Sequence, residues 1–173
     1  MKHPMSKVNR LVIDVLNPDN KYQFILGMAN FTIKCTEDIL RVLTGSIPNI
    51  SAGVAMVESA PRLVRSCGTD KRLEQLATEN ALRIGVGHSF VVMMENGFPI
   101  NVLNDLKSVQ EVCSILVATA NPCKVIVAEI GRGSNKMRAI LGVADGYSPS
   151  RVEDETERED RRLLVRKLGY IVG

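Results

Sequence analysis

The sequence predicts a single α/β domain over residues 1–173, a three-layer sandwich in which a mostly buried sheet is covered by helices on both faces. Three observations lead there. Short apolar runs of strand length are interleaved with stretches of helical spacing. Most of those runs are apolar throughout rather than at alternate residues, as expected where both faces of a sheet are covered. Finally, 173 residues with 45% apolar and 24% charged side chains suit one globular domain with a real core. No internal repeat, low-complexity segment or interdomain linker divides the chain.

Residues 1–8 read as a flexible end. Leu11 to Leu16 is a strand closed by the turn set Asn17-Pro18-Asp19-Asn20, and Tyr22 to Phe31, interrupted by Gly27, contains a second. Thr36 caps a helix with Glu37 and Asp38 in its first turn, the correct sign for the helix dipole. Ile39, Leu40 and Leu43 give it an apolar face, and residues 45–48 stop it. Gly53 to Val57 is an apolar strand ending at Glu58, with Leu63-Val64-Arg65 as its pairing partner. Thr69 or Asp70 starts the next helix, whose Leu73, Leu76, Ala77, Ala81 and Ile84 recur at helical spacing. Gly85 suits the left-handed position just past it.

Ser89 to Met94 is a strand followed by the turn signal Asn96-Gly97. Pro99 leads into a short helix at Asn101–Leu106. Ser114–Ala118 and Val125–Ala128 are further strands, and Gly131–Asn135 joins the second of these to a strand at Met137–Val143. Residues 152–168 form a charged helix, acids first and bases last. Asp154–Arg158 and Glu157–Arg161 pair along it at i,i+4, and Leu163, Leu164 and Leu168 offer an apolar contact for docking.

Composition excludes several function classes. The net charge is +3 and no basic cluster interleaves with aromatics, so neither a dedicated nucleic-acid surface nor a nucleic-acid partner is expected. No apolar stretch is long enough to span a bilayer and Met1-Lys2-His3-Pro4-Met5-Ser6 lacks a signal-peptide core, so no membrane partner and a cytoplasmic location are expected. Cys35, Cys67, Cys113 and Cys123 show no metal-finger spacing and read as free thiols. The phosphate loop G-x-x-x-x-G-K-[ST], a G-x-G-x-x-G opening a helix and a serine nucleophile elbow are all missing.

Histidine usage is more telling. There are two in the chain: His3 near the end, and His88 in Ile84-Gly85-Val86-Gly87-His88-Ser89-Phe90, between a helix and a strand. Gly85 and Gly87 allow a sharp turn and close approach of a ligand. Imidazole there is a credible nucleophile near neutral pH, the alternative being a partly buried histidine that caps a strand. A nucleophilic histidine needs a carboxylate to hold its second nitrogen. Glu58 at the end of its strand is one candidate and Asp145, in an Asp-Gly turn, another. The C-terminal end of a helix repels phosphate, so anion donors are expected elsewhere, from the helix near Asn101 with Pro99 setting the approach. Gly87 and Ser89 add an N–H and a hydroxyl. Asn101 and Asn104 read alternatively as capping and solvent-facing positions.

The segments Asn80–Phe90, Phe98-Pro99-Ile100-Asn101-Val102-Leu103-Asn104, Glu111-Val112-Cys113, Ala118-Thr119-Ala120-Asn121-Pro122, Val125–Glu129 and Leu141–Gly146 resemble the adenosine-specific kinase family of archaea and bacteria. The resemblance runs from about Asn9 to Tyr170. It implies a three-layer α/β domain that binds adenosine and adenine nucleotides and carries a phosphoryl group on the Gly-His-Ser histidine, here His88. ATP or another adenine nucleotide would be the cofactor, with Mg²⁺ as its companion. From the topology, the pocket is expected between Phe98–Asn104 and Ala118–Pro122, Asn121 included. One departure stands out: Asn30 lies where the family pattern often has histidine, and asparagine cannot shuttle a proton near pH 7. Two functions follow, a phosphotransferase working through a phosphohistidine or a non-catalytic adenine-nucleotide sensor. Edge strands in a compact sheet also predict a homo-oligomer, of no specified order.

Overall fold

The apolar runs and helical spacings resolve into eight strands and four helices in a computed structural model, which describes residues 8–30 and 36–167. Expectations for residues 1–7, Phe31, Cys35 and Leu168 lie outside these. The order is β1 (Val8–Asp14), β2 (Gln23–Ala29), α1 (Thr36–Ser46), β3 (Ser51–Val57), β4 (Val64–Gly68), α2 (Lys71–Ile84), β5 (Ser89–Glu95), α3 (Pro99–Ser108), β6 (Val112–Thr119), β7 (Cys123–Ile130), β8 (Met137–Asp145) and α4 (Glu155–Lys167). Val8, read as part of a flexible end, is the first residue of β1.

The α/β class holds, but the single sheet does not. Five strands form one antiparallel sheet in the order β4-β3-β5-β2-β6, and three form a second in the order β1-β7-β8. Nor do helices alone cover both faces. Ile25, Val54, Phe90 and Val92 point to one side of the larger sheet, where they meet Ile39 and Leu43 of α1 and Val102 and Leu106 of α3. Leu26, Ala55, Val91 and Met93 point to the other, where they meet Leu73, Ala77, Ala81 and Ile84 of α2 together with Val125 and Val127 of β7. The second face is thus shared between a helix and the smaller sheet. The physical reason is visible in the strands: β5 is buried on both faces from Ser89 to Met94, whereas β1 and β8 alternate between half-buried and exposed.

Helix α2 fixes the geometry that matters for the site. The Asp70 carboxylate, rather than Thr69, accepts from the N–H groups of Arg72 (2.9 Å) and Leu73 (3.1 Å) and caps its start. Gly85 ends it in the left-handed conformation, φ 59°, donating its N–H to the Ala81 carbonyl at 2.8 Å. The helix backbone lies directly on β3: a Cβ built on Gly53 would fall 2.2 Å from the Glu74 nitrogen and 2.3 Å from the Leu73 carbonyl oxygen. Buried Asn80 ties α2 to the chain after β1, accepting from the Leu16 N–H (2.7 Å) and donating to its carbonyl (2.9 Å).

The C-terminal helix departs from expectation. None of its residues is buried, and Leu163 and Leu164 are exposed rather than docked. Its salt bridges also differ from the i,i+4 set. Glu153, ahead of the helix, receives Arg161 at 2.7 Å, Arg158 contacts Glu155 at 3.0 Å, and Glu157 pairs with Arg151. Asp154 instead caps the helix: its carboxylate accepts from the Glu157 N–H at 2.9 Å, while the Glu157 carboxylate accepts from the Asp154 N–H at 3.0 Å. Among the described residues no helix is long and apolar enough to cross a membrane.

Candidate functional site

The His88 loop is held by backbone bonds on both sides. The His88 N–H donates to the Val57 carbonyl at the end of β3 (2.7 Å), and its own carbonyl accepts from the Ala29 N–H at the end of β2 (2.9 Å). These bonds clamp a non-glycine residue at φ 64°, a region that costs an L-residue roughly 1–2 kcal/mol. The imidazole they present is exposed, and among the described residues it makes no hydrogen bond or ion pair. The side chain is therefore not the partly buried strand cap of the alternative reading.

The flanking residues take definite roles. Ser89 is fully buried, and its hydroxyl donates to the Val86 carbonyl at 2.6 Å, so it braces the loop and offers nothing to a ligand. Gly87 lies against Ser59: a Cβ there would sit 2.4 Å from the Ser59 hydroxyl oxygen. Gly87→Ala is therefore expected to displace the loop and lower Tm by several degrees. The double variant Gly87→Ala/Ser59→Gly should recover most of the loss, measured by thermal melting of each. Failure of the second change to restore Tm would show that the contact is not what fixes the loop.

Glu58 follows Val57, the residue that holds His88, but it does not pair with the imidazole. One carboxylate oxygen accepts from Arg65 Nε at 2.9 Å, and the other, Oε2, is buried with no partner among the described residues. Asp145, the alternative, is far away. It accepts from the Thr119 hydroxyl (2.7 Å) and the Asn121 side-chain amide (3.0 Å), in a cluster where β6 and β8 end.

Beside the loop lies a cavity of about 520 Å³ lined by Glu58, Ser59, Arg62, Leu63, Leu82, Gly85, Gly87, Lys136, Met137 and Arg138, among others. Its basic residues were not singled out from sequence. Arg138 donates through Nη1 to the carbonyls of Arg83 (3.0 Å) and Ile84 (3.3 Å), the last turn of α2. Through Nε and Nη2 it grips Glu129, which also meets Lys136 at 3.0 Å. Hydrogen bonding from Lys136, against the opposing effect of burial and aided by Arg138, holds Glu129 below the usual carboxylate range. The cluster therefore stays paired at neutral pH and loosens only as pH falls through that depressed value. A helix C-terminus that would repel an anion is here neutralised by a guanidinium. Lys136 and Arg138 stand two apart around the start of β8, a spacing that puts both on one side of a strand and could have flagged them.

The remaining predicted residues form a separate group. Phe98, Pro99, Asn101 and Asn104 lie at the far end of β5, where Asn101 Oδ1 accepts from the Phe98 N–H (3.1 Å) and caps α3. Pro99 and Asn104 line a shallow groove with Gln23, Leu103 and Ala118. Register places Phe24 opposite both Met93 and Thr119, so the Asn121–Asp145 cluster shares this end. The seven residues of β5, roughly 20 Å of strand, separate it from His88. A single chain thus brings His88, Glu58, Gly85, Gly87 and Ser89 together, and Phe98, Pro99, Asn101, Asn104, Asn121 and Asp145 apart from them. The α3 N-terminus cannot serve as the anion donor for His88 within one chain.

No group of three or more His, Cys, Asp or Glu side chains among the described residues can hold a metal ion. Cys113 and Cys123 are free thiols, and burial pushes Cys123 up to about 11.

A small α/β protein with a strained, presented histidine beside a basic cavity is what the fold and site define. The sequence model described as Adenosine specific kinase matches residues 13–171, and the chain belongs to that family. The crystal structure of the PH1918 protein from Pyrococcus horikoshii OT3 is similar, with 41% sequence identity and a TM-score of 0.86 over 96% of this chain and 100% of that one. No curated protein matches.

Proposed function

We propose that the protein is an adenine-nucleotide-dependent phosphotransferase that carries the phosphoryl group on His88, with adenosine as acceptor. The observation that carries this reading is the exposed imidazole, clamped at φ 64° and without a partner among the described residues, in a member of the adenosine-specific kinase family. An unprotonated ring nitrogen attacks the terminal phosphorus of ATP. The P–N bond forms, the bond from phosphorus to the bridging oxygen breaks, ADP leaves with that electron pair, and the ring releases its N–H proton. In the second step a hydroxyl of adenosine attacks the same phosphorus. The O–P bond forms, the P–N bond breaks with its electrons returning to the ring, and the hydroxyl proton restores the neutral imidazole. Glu58, one residue beyond the carbonyl that holds His88, is proposed as the carboxylate that takes the ring proton.

The test is intact-mass spectrometry after incubation with ATP and Mg²⁺, with samples split between alkaline and acid treatment. A phosphoramidate survives base and is lost in acid, where the leaving imidazole is protonated. An adduct with that signature supports the reading. No adduct, with adenosine binding intact, replaces it with the sensor.

We also propose a homo-oligomer in a reducing, cytoplasmic compartment, which the free thiols of Cys113 and Cys123 suit. Register puts Val8 beside Ile130 and Val12 beside Ile126 on the face of the smaller sheet turned away from the core. Val8 and Val12 are both exposed there, an apolar surface that a second copy would cover. Val12→Lys is expected to lower the assembled mass in light scattering, and an unchanged mass would move the interface elsewhere.

A further inference from the structure

Residues 147–167 form an arm that the rest of the domain does not hold. Gly146 is the last tie before it, donating its N–H to the Pro122 carbonyl at 2.9 Å. Beyond that point no described residue is buried, and Tyr147 and Val152 are 89% and 85% exposed. Among the described residues, every ion pair of the arm closes within it. A helix of 13 residues, the length of α4, is marginal in water without a surface to lie on. Leu163 and Leu164 stand three and four residues after Asp160, so the three share one helix face. All three are exposed, and Asp160 makes no ion pair among the described residues.

The outer face of the smaller sheet is the complementary surface. Leu11 and Ile13 of β1 turn inward to the core, so Val8, Arg10 and Val12 turn outward, and these three are exposed. Arg10 makes no ion pair among the described residues. Register sets it beside Ala128 of β7 and, one strand further, Ala139 of β8, short side chains that leave the guanidinium uncovered.

We propose that α4 of one copy lies across the outer face of the smaller sheet of the next copy. Leu163 and Leu164 cover Val8 and Val12, and the Asp160 carboxylate meets the Arg10 guanidinium between them. Each side offers a lone charge flanked by apolar side chains, and the two charges are opposite. A sheet face open to water and a helix with nothing beneath it are the two halves of one layered packing. Giving one arm and receiving another supplies every copy with both halves, which suits closed symmetry. The stretch 146–154 between β8 and α4 provides the reach, up to about 30 Å when extended. This inference rests on the homo-oligomer proposed above and names the segment that covers its apolar face.

Assembled mass is measured by light scattering over a dilution series for the wild type, Arg10→Asp, Asp160→Arg and the double variant, with Val12→Lys alongside. Each single reversal is expected to weaken assembly about tenfold or more, and the double variant to return to within about threefold of the wild type. Both residues are exposed and unpaired among the described residues, so neither change removes a contact of the fold. Two copies are also co-expressed, a size-tagged one with Val12→Cys and an untagged one with Leu164→Cys. Both carry Cys113→Ser, which removes the exposed thiol. A disulfide band of mixed size is expected on oxidation. A mass lowered by Val12→Lys but untouched by either reversal overturns the exchange and leaves the oligomer standing. A disulfide that forms only when both cysteines share one chain also overturns it, by placing the helix on its own sheet. A wild type that stays monomeric removes the oligomer and the exchange together.

Discussion

Replacing His88 by alanine is expected to abolish the acid-labile phosphate adduct and to lower phosphoryl transfer by about a thousandfold or more, the usual consequence of deleting a nucleophile. Stability should change little, because the imidazole is exposed and makes no hydrogen bond or ion pair among the described residues. The substitution leaves the backbone at φ 64°, which alanine tolerates no better than histidine. His88→Asn separates the two effects, since asparagine enters the left-handed region readily but cannot carry a phosphoryl group. Both variants should therefore lose transfer alike. Activity retained in His88→Asn would mean that the loop's shape, and not its nitrogen, is what the reaction needs.

Gly53→Ala is expected to be the most damaging of the small substitutions. Its Cβ would have to occupy space 2.2 Å from the backbone of Leu73 and Glu74, and neither a strand nor a helix backbone can rotate aside as a side chain can. Sheet and helix must separate, at a cost of about 1–3 kcal/mol or more, seen as a fall in Tm of several degrees. Gly45→Ala in α1 supplies the control. Nothing lies within 4 Å of its Cβ, and alanine is the better helix former, so Tm should hold or rise. A Gly53→Ala protein that melts with the wild type would show that α2 does not rest on β3 as described.

What could be read from sequence was what local chemistry controls. Helix α2 is the clearest case, with its apolar spacing, its acidic cap and Gly85 past its end all found where expected. Strand β5 was legible because six consecutive buried residues need both faces covered. The division into two sheets was not, since pairing of Val8 with Ile130 or of Ile25 with Val92 is decided by partners distant in the chain. The site failed in the same way. His88, Glu58, Gly85 and Gly87 lie within or beside one loop and were found together. Asn101 was assigned to that site for the N-terminus of its helix and Asp145 for its carboxylate, yet an antiparallel sheet carries them to its opposite end. The cations were missed because Arg62, Lys136 and Arg138 are scattered among loops and an edge strand, and only folding gathers them.

The pairing of β1 has a bearing on how the chain is made. All five strands of the larger sheet come from residues 23–119, so they are complete once β6 has been synthesised. Strand β1 is the first segment to leave the ribosome among the described residues, yet its one strand partner, β7, begins at Cys123. Until then both its edges are bare, and the Asn80 clasp on Leu16 is the early hold on this part of the chain. The cavity shares this delay, because Lys136 and Arg138 arrive with the hairpin that finally closes on β1. A nascent chain can thus fold its histidine loop well before the cavity beside that loop is complete.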